Sequence, residues 1–347
     1  MSQAWPDLLT DLVARSDLNA EQTAWAMNQI LAGEATPAQI AGFMVALQAK
    51  GVTADELSGL VAGMLGNAVT VDLPVEAVDI VGTGGDRANT VNVSTMASVV
   101  AAAAGAKVIK HGNRAASSAC GTADCLEALG VVLDLPPARQ AAVFDEVGIV
   151  FLFAPVYHPS LRHAAVPRRE LGIRTPFNFL GPLANPARPR AAALGVADAR
   201  MAALMADVLA GRGACGLVFH GGDGLDELTT TTASDVWVVA DGGVAQTRLD
   251  PADLGLDRAA IGDLVGGVPA HNAEVVLATF AGEPGPVRDI VLLNAAAGLL
   301  AYDGPDAGAP LTDQVAERLE RARRAIDNGD ATRLLDAWVA ATRREDA

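Results

Sequence analysis

Aromatic residues make up only 4% of this 347-residue chain, and lysine occurs only at positions 50, 107 and 110. The three cysteines, Cys120, Cys125 and Cys215, show no CxxC spacing. So sparse and odd a set excludes a disulfide scaffold and predicts reduced thiols in a cytoplasmic protein. Basic charge is also short. Lys and Arg number 25 against 41 Asp and Glu, a net charge of −16. Most of such a surface repels duplex nucleic acid. The longest apolar stretch, 96–106, is interrupted by Ser98. It falls far short of the ~20 residues of a membrane-spanning helix. The N-terminus, MSQAWPDLLTDL, has no basic region and carries early aspartates, so no signal peptide is expected. The expectation is a cytoplasmic protein with no nucleic-acid or membrane partner. A small anionic ligand stays open, because a local basic pocket can hold one.

What the chain does have is apolar bulk, at 51% of its residues. That suffices for a large core, and the length suggests roughly two domains. Leu8, Leu9, Leu12 and Val13 form one apolar stripe. Thr36-Pro37-Ala38-Gln39 and Thr53-Ala54-Asp55-Glu56 are helix starts, in which a hydroxyl caps and the residue three positions on reaches back. Gly33 and Gly51 stand where helices should stop. Residues 1–72 therefore read as all-helical. Near Val71 the pattern changes to short β-branched runs alternating with helical stretches. These runs predict strands at 78–81, 107–110, 131–135, 149–153, 192–196 and 217–220. Such alternation implies a parallel sheet with helical crossovers. Residues 235–240 and 244–249 read as a hairpin turning at Asp241-Gly242-Gly243. The chain from Thr312 reads as helical, broken at Asn328-Gly329.

Four segments carry chemistry. In VDIVGTGGDRANTVNVSTMAS, residues 78–98, a buried strand runs into glycines and then into a helix. Glycines let backbone N–H groups turn toward a ligand, and a helix N-terminus with Asn92, Ser94 and Thr95 favours phosphate. Alone, such a turn is equally a plain strand–helix connection. In KVIKHGNRAASSACGTADCLEALG, residues 107–130, Lys107 and Lys110 bound a candidate strand, and a basic loop follows it. Between Gly82 and Ser118 the cations Arg87, Lys107, Lys110 and Arg114 face a single acid, Asp86. Ser117, Ser118 and Thr122 add hydroxyl donors to this positive island. His111 reads as a loop-ordering hydrogen bonder before it reads as a base.

The segment at 151–187 brings Phe151, Phe153, Tyr157, Phe177 and Phe179 near Arg168, Arg169 and Arg174 in sequence. An aromatic wall with a guanidinium suits an aromatic carboxylate. In VFHGGDGLDELT, residues 218–229, a further strand ends in a loop carrying Asp223, Asp226 and Glu227. Adjacent carboxylates beside a phosphate pocket suit Mg²⁺.

GTGGD with NVST, KHGNRAASS, RRELGIRTPFNFLGPLANP and HGGDGLDE follow one another in that order. Together they resemble the anthranilate phosphoribosyltransferase family of tryptophan biosynthesis. GEATPAQIAGF and KGVTADEL extend the resemblance into the N-terminal helices.

The resemblance implies an α/β fold of the nucleoside phosphorylase/phosphoribosyltransferase type. A small helical domain, 1–72 with helices from about 161–187, joins an α/β domain at 73–347 with a mostly parallel central sheet. It implies transfer of the phosphoribosyl group of 5-phosphoribosyl 1-diphosphate to anthranilate, with Mg²⁺ as cofactor and a homodimer paired through the helical domain. By motif, the donor contacts are Gly82, Gly85, Asp86, Thr90, Asn92, Val93, Ser94 and Thr95, then Lys110, His111, Gly112, Asn113, Arg114, Ala115, Ala116, Ser117, Ser118 and Thr122. Gly82, Asn113 and Arg168 contact anthranilate. Ser94, Asp226 and Glu227 hold the metal. Lys110, Asn113 and Arg168 are the residues expected to assist the reaction. The chain departs from the family pattern at Ala115, Ala116, Ala119 and Cys120, which bears on donor affinity.

Two other functions compete: a pyrimidine-nucleoside phosphorylase, and a nucleic-acid-binding relative. Asn113-Arg114 and the Asp226-Glu227 pair argue against the first, and the charge of −16 against the second.

Overall fold

The computed structural model describes residues 3–115 and 119–344. Four helices come first: α1 (Trp5–Val13), α2 (Ala20–Ala32), α3 (Pro37–Lys50) and α4 (Ala54–Gly66). Next come β1 (Val78–Gly82), α5 (Val93–Ala103), β2 (Val108–Gly112), α6 (Thr122–Leu129), α7 (Pro137–Val147) and β3 (Ile149–Phe153). Two helices follow, α8 (Ala154–Tyr157) and α9 (Arg162–Leu171). The remainder is β4 (Ala191–Gly195), α10 (Ala199–Gly211), β5 (Cys215–Gly221), β6 (Ser234–Ala240), β7 (Gly243–Leu249), α11 (Pro269–Phe280), α12 (Pro286–Asp303), α13 (Leu311–Asp327) and α14 (Asp330–Arg343). The chain divides into two compact units. One joins the residues up to Thr70 with Ala154–Pro186; the other joins Val71–Phe153 with Ala187–Ala347.

In the helical unit the capping signals act as expected. Thr36 Oγ1 accepts the Gln39 N–H at 3.3 Å, and the Gln39 side chain accepts the Thr36 N–H at 2.8 Å. Thr53 and Glu56 make the same reciprocal pair, and so do Asn19 and Gln22. Each such cap contributes about 1 kcal/mol. α4 crosses α2 at Gly59 and Gly63. A Cβ at Gly59 would lie 2.1 Å from the Ala20 carbonyl oxygen, so only glycine lets these backbones approach. Trp5, Phe43 and Phe177 pack edge-on in the core, with ring centroids 5.7 and 6.5 Å apart.

In the α/β unit the strand order is β3-β2-β1-β4-β5-β6-β7. β3 through β5 are parallel, and β6 and β7 add antiparallel. The chain starts in mid-sheet at β1, winds outward to β3, then returns to the other side of β1 as β4. The order therefore reverses between β1 and β4, where α/β sheets bind ligands at their carboxyl ends. Gly82 and Gly195 are paired there. α12 lies close against β1, since a Cβ at Gly298 would meet Ile80 Cδ1 at 2.3 Å.

Two expectations need correction. Residues 131–135 are not a strand. Val131 and Leu133 are buried, but Val131 N–H closes α6 on Leu126 and Val132 N–H donates to Thr342 Oγ1 at 3.2 Å. The alternation marked burial against α14 rather than sheet pairing. The aromatics of 151–187 are divided between the two units. Phe151 and Phe153 stack at 6.3 Å in the α/β unit, whereas Phe177 belongs to the helical core. The hairpin turns on Asp241 and Gly242, both with positive φ (51° and 73°), as a tight two-residue turn requires.

Candidate active site

β1 delivers Gly82 to the carboxyl edge of the sheet. Thr83 N–H donates to the Gly195 carbonyl at 3.0 Å, and Ala197 N–H donates to Thr83 Oγ1 at 3.1 Å, which ties the turn to the end of β4. Gly84 and Gly85 follow with φ of 69° and 84°, and Arg87 and Asn89 continue at 65° and 52°. Successive backbone N–H groups in such conformations form an anion-binding concavity.

The loop after β5 places Asp226 on this glycine seat. Asp226 Oδ2 accepts the Gly84 N–H at 2.7 Å. A Cβ at Gly82 would lie 2.1 Å from that same oxygen, and a Cβ at Gly195 would lie 1.8 Å from the Asp226 carbonyl. The loop is braced from both ends. Asp223 accepts the Thr229 hydroxyl at 2.7 Å and the Leu225 N–H at 3.1 Å. Asn294 on α12 clamps Leu228 through its N–H at 3.0 Å and its carbonyl at 2.8 Å. Asp223 is thus a loop brace, distinct from the acids that face the site.

Glu227 reaches the first turn of α5, where the Ser94 N–H draws its pKa down. Asp226 and Glu227 are both buried. Burial and then the charge of Asp86 push the Asp226 carboxyl up to about 7, against the pull of the Gly84 N–H. Burial and then Asp226 raise Glu227 well above the usual carboxylate range, opposed by Lys110.

Lys110 lies on β2 and is 1% exposed. Its ammonium donates to the Ile80 carbonyl and to Ser94 Oγ, the latter at 3.2 Å. Burial lowers its pKa, opposed by Asp79, Glu227 and Asp226. Lys110 therefore stands behind Ser94 and not on the surface of a solvated loop. The acids Asp79, Asp226 and Glu227 act on this one buried ammonium, and Asp86 acts on Asp226. Such an excess of carboxylate suits a cation. Among the described residues no group of three or more His, Cys, Asp or Glu side chains is placed to hold a metal ion by itself.

The basic loop is organised by an acid that the motifs did not single out. Asp124 on α6 accepts the N–H groups of Ala115 and Gly121, each at 3.0 Å, so the loop closes at a neck. A Cβ at Gly121 would lie 2.2 Å from the Ala115 nitrogen. Arg114 turns back onto Asp124 (2.9 Å) and Glu127 (2.5 Å) and lies 5.4 Å over the Phe153 ring. His111 is buried, and its N–H donates to Asp79 at 3.2 Å. Asn113 is exposed and accepts the Arg114 N–H at 2.7 Å. A Cβ at Gly112 would meet Phe151 at 2.8 Å, and Thr122 opens α6. Ala116, Ser117 and Ser118 lie outside the described residues.

The segment before α5 is held by chain far away in sequence. Thr90 bridges Val265, and Val91 N–H donates to the Leu264 carbonyl at 2.9 Å. In the first turn of α5, Thr95 Oγ1 is buried without a partner. The structure thus gathers Gly82, Gly85, Asp86, Thr90, Asn92–Thr95, Lys110 and Asp226-Glu227 in one unit. Arg168 belongs to the other unit, in the last turn of α9, where burial lowers its pKa. Gly195, Asp124 and Asn294 are the structural residues missed in the sequence. Only Gly195, a glycine ending a strand, left a visible signal.

A phosphate-seeking glycine turn, a helix N-terminus and a carboxylate pair at the switch point of a doubly wound sheet define a transferase of the glycosyl transferase class. Residues 75–332 match the model of the glycosyl transferase family a/b domain, and residues 6–68 match its helical bundle domain. The chain belongs to the anthranilate phosphoribosyltransferase family. It is 59% identical over 340 residues to the anthranilate phosphoribosyltransferase of a Nocardioides species, covering 98% of this chain and 99% of the relative. The crystal structure of the Thermus thermophilus anthranilate phosphoribosyltransferase superposes with a TM-score of 0.90 at 41% identity, covering 97% of this chain and 100% of that one. The Saccharomyces cerevisiae enzyme, solved in complex with PRPP and Mg, gives a TM-score of 0.87 at 26% identity and 97% coverage of both chains. The yeast enzyme has also been solved with 4-fluoroanthranilate, with a TM-score of 0.85 at 25% identity, covering 98% of this chain and 99% of that one.

Proposed function

We propose that the chain transfers the phosphoribosyl group of 5-phosphoribosyl 1-diphosphate (PRPP) to the amine of anthranilate and releases pyrophosphate, with Mg²⁺ as cofactor. The observation that carries this reading is the buried Asp226-Glu227 pair on its glycine seat, in a cluster where carboxylates outnumber ammonium. The donor set fits the ion. Asp226, Glu227 and the Ser94 hydroxyl are hard oxygens too few to close a cage, which leaves positions for phosphate oxygens and water. When bound there, Mg²⁺ neutralises charge on the departing diphosphate.

The chain's own groups do the rest. The N–H groups of the 82–86 turn that are not given to Gly195 and Asp226, with the first turn of α5, bind the donor's phosphates. The segment that follows β2, with Thr122, adds contacts to them. Lys110 acts from behind, fixing Ser94 and offsetting the carboxylates. Arg168 pairs with the acceptor carboxylate, and Gly82 and Asn113 complete the acceptor contacts. The anthranilate nitrogen forms its bond to C1 of the ribose as the bond from C1 to the diphosphate oxygen breaks, and the nitrogen then releases one of its two protons to solvent. The arylamine attacks neutral, so positioning and electrostatics suffice, without a covalent intermediate. Val13, Val45, Val166 and Ile173 are exposed on the helical unit and support a homodimer paired through it. No helix of the described residues is long and apolar enough to cross a membrane.

The test is product analysis. Incubation with PRPP, anthranilate and Mg²⁺ should give equal amounts of pyrophosphate and N-(5-phosphoribosyl)anthranilate by mass spectrometry. Pyrophosphate without the adduct would reject anthranilate as acceptor.

A further inference from the structure

Asn92 is the N-cap residue of α5, yet its side chain makes no capping bond. An asparagine in that position ordinarily accepts an N–H from the second or third residue of its helix. Here its backbone sits at φ −74° and ψ 68°, outside the extended conformation that capping uses. The side chain is engaged elsewhere. Asn92 Oδ1 accepts from Asn272 Nδ2 at 2.8 Å, and Asn92 Nδ2 donates to the Cys120 carbonyl at 3.2 Å.

Asn272 is 2% exposed in the second turn of α11. Its Oδ1 accepts the Gly267 N–H at 2.7 Å. That backbone donor decides the orientation of both amides. It requires oxygen on one side of Asn272, which turns the nitrogen to Asn92. Asn92 must then present its own oxygen, and its nitrogen is left for Cys120. The bonds run in one direction from Gly267 to Cys120, so each polarises the next. Room for the arrangement comes from Gly266, where a Cβ would lie 2.8 Å from Asn272 Oδ1.

The consequence falls on α5. With Asn92 held away, the first-turn N–H groups are not spent on a self-cap. Of these, the Val93 N–H goes to the Val91 carbonyl at 2.7 Å, and the Ser94 N–H faces Glu227 and draws its pKa down. Beside them Thr95 Oγ1 is buried without a partner. We infer that Asn272 is a positioning residue for the donor: it holds Asn92 out of its capping position, and so keeps the N-terminus of α5 open for the phosphates of PRPP. This rests on the reading of α5 as a donor-binding element.

The test is calorimetric binding of PRPP with Mg²⁺, with steady-state kinetics, on Asn272→Ala, Asn92→Ala and the double variant of the full chain. Asn272→Ala frees Asn92 to cap α5 in competition with phosphate. Donor affinity should fall about five- to tenfold, the size of one capping bond, with the anthranilate KM unchanged. In the Asn92→Ala background the same substitution should change donor affinity by less than about twofold, because residues that act as a unit are not additive. Additive losses, or a fall in kcat with both KM values unchanged, would overturn the inference and leave Asn272 a packing residue. If Asn272→Ala does not fold, Asn272→Asp keeps an acceptor for the Gly267 N–H and loses the donor to Asn92 while adding a negative charge, so its coupling to Asn92 is read and not its affinity alone. It should show the same dependence on Asn92, and additivity there overturns the inference too. If the wild-type chain binds neither PRPP nor pyrophosphate with Mg²⁺, the donor reading itself fails and this assignment with it. If the wild-type chain binds and turns over PRPP while the variants match it, only the role of Asn272 is lost.

Discussion

Gly82→Ala perturbs the proposed metal site with the smallest possible change. The added methyl would lie 2.1 Å from Asp226 Oδ2 and 2.9 Å from its Cγ, where real contacts essentially never fall below 3.0 Å. Gly82 has no positive φ, so the backbone accepts alanine and the clash is the whole effect. The Asp226 backbone cannot retreat, because it lies against Gly195. The carboxylate must therefore swing away by roughly 1 Å, and a misplacement of about 1 Å costs on the order of 10²-fold in rate. It also leaves the Gly84 N–H, a charge-assisted bond of 2.7 Å, which costs about 1.5–3 kcal/mol of stability. The assay is loss of anthranilate fluorescence across a Mg²⁺ titration, with a thermal melt on the same protein. Expected are a rate down on the order of 10²-fold, a higher Mg²⁺ requirement and a melting temperature lower by about 5 °C. A folded Gly82→Ala protein within about threefold of wild type, at an unchanged Mg²⁺ requirement, would refute the placement of Asp226 at the metal.

Other substitutions follow the same logic. Arg168→Ala should raise the anthranilate KM far more than the donor KM; the reverse split in steady-state kinetics would remove Arg168 from the acceptor site. Asp124→Ala frees the N–H groups at both sides of the loop neck. It should weaken PRPP binding about tenfold while leaving the anthranilate KM alone, as measured by calorimetry and kinetics. His158 is buried in the helical unit, and its Nε2–H donates to the Ala184 carbonyl at 2.8 Å. Burial depresses its pKa below 6.5 against the pull of that bond. The folded state then binds fewer protons than the unfolded state as pH falls below that value. The stability linked to His158 is complete above pH 6.5 and is lost as pH drops through its folded value. Melts from pH 7 to 5 should show a downward slope that His158→Gln reduces; equal slopes would show that His158 does not titrate on unfolding.

The fold was largely legible because its signals are local. Thr36 with Gln39 and Thr53 with Glu56 satisfy each other within one turn, so three residues of sequence suffice to place a helix start. Short apolar runs located the strands to within a residue or two. The failure at 131–135 has the same root. Alternating burial looks alike whether the neighbour is a strand or a helix such as α14. The site was legible where it is carried by contiguous motifs. It was opaque where the partner is distant in sequence. Asn272 reaches Asn92 and Asn294 braces Leu228 across loops of ordinary composition, and neither has a local signature. The burial of Lys110 was also hidden, because a lysine beside a basic loop reads as solvated until Ser94 and Ile80 are seen around it.

The most direct test of the account follows anthranilate fluorescence in the presence of PRPP. With Mg²⁺ the signal should decay as the N-phosphoribosyl adduct forms. EDTA should stop the decay and restored Mg²⁺ should resume it, with Asp226→Asn responding to neither. Full decay under EDTA, or none with Mg²⁺ and folded protein, would contradict it.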